Sequence, residues 1–88
     1  MEVYVLIKND LDVDSGTFDT EVIGVYENFS MAQTEMQAQM VDAKQKFQNY
    51  DFNEDAYVEG DMSWSIWELG QYASNHIDLI IQCETIQK

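Results

Sequence analysis

The chain has 88 residues, four lysines, no arginine and 17 acidic residues, for a formal charge of −13. Hydrophobic residues make up 45% and aromatics 12%, which is too apolar for a disordered acidic tail and is the size of one small folded domain covering residues 1–88. Direct nucleic-acid binding is not expected from the same count, because neutralising phosphates needs clustered Lys and Arg; no apolar run approaches the length of a membrane span.

The first apolar segment is Met1 to Ile7. Val3, Val5 and Ile7 alternate with Tyr4 and Leu6, and apolar groups on both sides predict an interior strand. A long link, Asn9 to Asp19, carries Ser15-Gly16 as its turn signal. A second strand is expected over Thr20 to Glu27, with Gly24 inside it as a bulge or a point of close approach. Ser30-Met31-Ala32-Gln33 then reads as a capping box, followed by an apolar stripe of Ala32, Met36, Met40, Ala43, Phe47 and Tyr50 on one helix face. Asn49 to Asp55 ends that helix through weak helix propensity.

A third strand is expected at Met62 to Leu69; the rival reading makes Ser65 to Ala73 a short helix. Tyr57 and Val58 could add a short strand segment, Ala73 to His76 reads as a turn, and Ile77 to Ile86 as the last strand. The expected fold is therefore α+β: β-β-α-β-β, an antiparallel four-stranded sheet with one helix packed on one face. Tyr4, Leu6 and Ile80, or their neighbours, are then left facing out or meeting a partner, which motivates a homodimer.

Ten of the 17 acids fall in two segments without a lysine. Asp10, Asp12, Asp14, Asp19 and Glu21 surround the first hairpin link; Asp51, Glu54, Asp55, Glu59 and Asp61 lie between the helix and the third strand. The β-β-α order brings both segments to one pole, beside the negative end of the helix dipole. On roughly 5,300 Å² of surface, 17 evenly spread carboxylates would lie about 18 Å apart, beyond the Debye length of about 8 Å. Ten of them on a third of that surface lie about 13 Å apart on average, with closer groups inside each segment, and such a cluster produces a field that steers a basic partner. These ten residues are the candidate partner-binding set; solvated loops on a soluble protein are the plain alternative.

Asp10, Asp12 and Asp14 also occupy positions one, three and five of a twelve-residue span ending at Glu21, as in a calcium loop, although Gly16 falls at position seven rather than six. Catalysis has little to stand on. His76 and Cys83 are single residues of their kinds, with Cys83 expected as a small buried hydrophobe, and no phosphate loop or Cys/His cluster is present. No enzyme, cofactor or metal site is therefore expected. Trp64 and Trp67 fall on opposite strand faces, one for the core and the other either shielded by Tyr72 or Tyr57 or exposed as an interface anchor together with Tyr72. A lone cysteine suits a reducing compartment and the start lacks the pattern of a signal peptide, so a bacterial cytoplasm is the expected location.

Val3-Tyr4-Val5-Leu6, Ile23-Gly24-Val25-Tyr26 and the Ser-started helix resemble small phage and prophage proteins. Size, acidity and element order resemble phage-encoded anti-defence inhibitors, anti-CRISPR proteins among them. Several of these act as DNA mimics, so the resemblance implies a non-catalytic inhibitor that offers carboxylates to the phosphate sites of a basic, nucleic-acid-binding protein. These inhibitors share no motif, so no functional residue carries over. The alternatives are a homodimeric interaction module and a calcium-binding domain.

Overall fold

A computed structural model describes residues 1–13, 15–49, 51–56, 62–69 and 75–86. The elements are β1 (Glu2–Asp12), β2 (Thr17–Tyr26), α1 (Phe29–Lys46), β3 (Phe52–Ala56), β4 (Ser63–Glu68) and β5 (His76–Thr85). The fold is α+β, with one antiparallel sheet in the order β2-β1-β5-β4-β3 and one helix. Among the described residues it has five strands where four are expected. The additional strand, Phe-Asn-Glu-Asp-Ala, is poor in strand-forming residues. It is held by pairing with β4 and by the Phe52 ring against Phe47, at 6.3 Å between centroids. The Tyr57-Val58 segment lies outside the described residues.

The first hairpin is longer than expected. β1 runs on to Asp12 and β2 starts at Thr17, so the link shrinks from Asn9–Asp19 to residues 13–16. Gly16 takes φ 70°, a left-handed turn position that suits glycine. The Asp12 carboxylate accepts the Ser15 N–H at 3.3 Å. Pairing across the ladder extends both strands through residues whose own propensity reads as loop. The register shifts at Leu6/Ile7, opposite Val22 and Gly24. A Cβ at Gly24 would stand 2.5 Å from the Tyr26 hydroxyl, so this glycine is indeed a close-approach point.

The helix starts two residues earlier than a Ser30 cap would set it. Asn28 is the N-cap, its side-chain oxygen accepting the Met31 N–H at 2.9 Å. This frees Phe29 to lie in the first turn with its ring 5.5 Å from Tyr4. Lys44 and Lys46 occupy the last turn, where they complement the dipole. The expected stripe holds: Ala32, Met36, Ala43 and Phe47 are buried and Met40 is packed against them; Tyr50 is outside the described residues.

Cross-strand partners share a face, so the register sorts the sheet. Leu6, Ile77, Leu79, Ile81, Trp64 and Ile66 face the helix and form the buried core. Residues 65–68 are strand, not helix. Cys83 lies on the same side as Ile81 but is exposed, which corrects its expected burial. His76 is not in a turn; it opens β5 opposite Trp67.

Tyr4 and Tyr26 are ladder partners at the helix N-terminal corner. The charge of the neighbouring Cys83 and then desolvation raise the Tyr4 phenol above its usual range; burial and then Glu35 raise Tyr26. A folded-state pKa above the unfolded value means stability present below about pH 10 and lost as pH rises through the folded value. The urea midpoint is therefore expected to fall from pH 10 upward, and Tyr26→Phe to reduce that fall.

Candidate functional site

The helix runs diagonally over the sheet. It begins against Tyr4 on β1 and ends where Phe47 meets Phe52 on the β3 edge. The far end of the β1–β2 hairpin therefore lies beyond the helix on the helix-facing side. That uncovered corner holds Asp10 and Asp12 from β1 and Asp19 and Glu21 from β2, placed on one side by strand alternation with Leu11, Phe18 and Thr20.

The ladder register is specific. Asp10 is the partner of Asp19, Glu21 of Lys8, and Asp12 of Thr17. Two like charges directly opposite destabilise an antiparallel pair. The corner gains one cation from the helix: Lys46 Nζ lies 3.7 Å from Asp10 Oδ2. Lys46 is exposed and Asp10 half-buried, and the separation is long for an ion pair, so it contributes little. Asp19→Lys converts the like-charge pair into an opposite-charge pair. Thermal or urea unfolding at low salt should show it stabilised by about 0.5–1 kcal/mol, with the gain shrinking in molar salt.

The second acidic segment reaches the same end of the strands but the opposite edge. Asp51 is exposed just ahead of β3, and Glu54 on β3 meets Lys44 Nζ at 3.2 Å. Asp10 and Glu54 share one cross-sheet row, with Ile77 and Ile66 between them. Three strand spacings separate them, roughly 14 Å. The single pole expected from the topology is thus two acidic edges flanking the helix C-terminus, with Lys44 and Lys46 between them. Asp55 is part of β3, and Asp14, Glu59 and Asp61 lie outside the described residues.

An open groove of about 320 Å³ borders the β1 edge of this corner, lined among others by Asp10, Asp12, Lys46, Phe47 and Asn75. Asn75 ties it together, accepting the Val13 N–H at 2.9 Å and donating to Glu68 at 3.1 Å. The calcium-loop reading fares differently. Asp10 and Asp12 sit in an extended ladder and Glu21 stands opposite Lys8, whereas a calcium loop wraps its oxygens around one point. Among the described residues no three acidic, His or Cys side chains gather around a common centre.

The sequence contained the signal for the corner. Asp10/Asp12 and Asp19/Glu21 are spaced by two, the strand period, but reading the segment as loop hid it. The lysine-free appearance of both segments is a property of the chain order alone, because the helix brings Lys44 and Lys46 to them. Of the two tryptophans, Trp64 is buried under the helix and Trp67 is half-buried on the opposite face; Tyr72 lies outside the described residues. Comparison with family models, characterised proteins and solved structures finds no match for this chain.

Proposed function

We propose that the protein is a non-catalytic binding protein whose acidic corner engages a basic surface, of the kind that otherwise holds nucleic-acid phosphates. The observation that carries this reading is the Asp10–Asp19 pair, flanked by Asp12 and Glu21, on a sheet corner that the helix leaves open. One like-charge pair directly opposite, held at a cost in stability, with a further carboxylate diagonal to it on each strand, favours a ligand role over solubility alone, which scattered acids would supply as well. Asp51 and Glu54 extend the negative field across the helix end. The lysines among them are exposed and weakly paired, so an incoming guanidinium, which binds carboxylates through two parallel hydrogen bonds, can replace them.

The reading is of a phosphate mimic acting as an inhibitor in a bacterial cytoplasm, in line with the anti-defence resemblance. The immobilised protein should retain a nucleic-acid-binding protein from bacterial lysate at low salt, and both high salt and competitor DNA should release it. Retention only of partners indifferent to salt and DNA would overturn the mimic reading.

A further inference from the structure

The sheet face away from the helix differs in chemistry from the rest of the molecule. One end of it carries Val5 and Ile7 from β1, Val22 and Val25 from β2, and Ile80 from β5, adjacent through the ladder. Val22 and Val25 are 57% and 59% exposed. The other end carries Leu11, Phe18 and Trp67, with Phe18 at 64% exposure. Between these blocks runs one polar row, Thr20–Asn9–Asp78–Ser65.

Two hydrogen bonds run within that row: Thr20 donates to Asn9 at 2.9 Å, and Ser65 donates to Asp78 at 2.6 Å. These two hydroxyl donors, already paired, can be covered without being stranded. His76 stands 2.7 Å from Asp78, so the central carboxylate also has a cationic neighbour when the imidazole is protonated.

Charge is sorted between the two faces. Lys8, Asp10, Asp12, Asp19, Glu21 and Glu54 all lie on the helix side by register. Among the described residues the acids on the open face are Asp78 and Glu84 of β5, and the outer faces of β1 and β2 carry none. A macromolecular partner of either sign gains little from such a surface. A second copy fits it: two chains of charge −13 can approach there with their acidic sides turned outward. Strand spacing and rise give a footprint of roughly 20 by 30 Å, or about 600 Å² per copy. The pair would bury about 1,200 Å², the lower bound of specific interfaces.

We infer that this open sheet face is a self-association surface on which a second copy packs, sheet against sheet, into a two-fold dimer. The inference does not rest on the acidic corner, which lies on the opposite side and stays accessible in such a dimer. Salt separates the two. Higher ionic strength screens the repulsion between copies and tightens the dimer, whereas it weakens capture of a basic partner.

Sedimentation equilibrium on the full chain at concentrations up to about 100 µM, at low and high salt, provides the test. The expected result is twice the monomer mass of 10.2 kDa, with a smaller dissociation constant at high salt. Val22→Lys and Val22→Glu should each raise that constant about tenfold or more while circular dichroism is unchanged. These variants move net charge in opposite directions, so a shared loss assigns the effect to the face. A monomer at every concentration and salt, or a dimer that both variants leave intact, would overturn the inference.

Discussion

Leu79→Ala is expected to lower the free energy of unfolding by about 3–4 kcal/mol. Leu79 has no solvent exposure and sits on the central strand β5, between Lys8 of β1 and Trp64 of β4, under the helix. Truncation removes burial and leaves a cavity among Trp64, Leu6 and the helix methionines, all held by neighbouring strands that cannot collapse into it. A domain of this size has roughly 4–13 kcal/mol of stability in total, so the variant should lie near the unfolding threshold. Ile80, the next residue, points to the open face and is only partly buried. Ile80→Ala should cost the monomer about 1 kcal/mol or less. Urea titrations of both variants in dilute solution, below the dimer range, check the pair. Equal losses would mean that the core is not confined to the helix side.

Combining Asp12→Lys, Asp19→Lys and Glu54→Lys moves net charge from −13 to −7, since each replacement changes two units. It places positive charge at both acidic edges. Binding of a basic partner recovered by the capture experiment should fall about a thousandfold, roughly 4 kcal/mol, because attraction becomes repulsion at several contact points. The salt dependence of the residual binding should flatten. Asp19→Lys alone discriminates function from folding, because it stabilises the hairpin while weakening binding. A variant that unfolds at higher temperature yet binds less cannot owe its defect to misfolding. Isothermal titration at two salt concentrations measures both terms. Undiminished affinity of the triple variant would remove the electrostatic mechanism.

The core strands and helix were legible because their signals are local. Ile77, Leu79 and Ile81 alternate with Asp78 and Ile80, and Ala32, Met36, Ala43 and Phe47 recur at helical spacing. Those periods place each residue on a face before any partner is known. The helix start was not legible in this way: the capping-box pattern points to Ser30, whereas Asn28 is the cap and Phe29 packs on Tyr4, a contact between residues far apart in the chain.

By itself the sequence determined an acidic α+β domain with an interior first strand, one amphipathic helix and no Lys/Arg cluster for phosphate binding. Tertiary structure alone decided the rest. Pairing with β4 and packing on Phe47 turn Phe52–Ala56 into a strand that composition disfavours. Ladder hydrogen bonds carry β1 and β2 through Asp10, Asp12 and Asp19, where propensity reads as loop. The diagonal path of the helix decides which acids stay open and brings Lys44 and Lys46 among them. In each case the deciding contact joins residues far apart in the chain, and propensity and periodicity carry no information about such contacts.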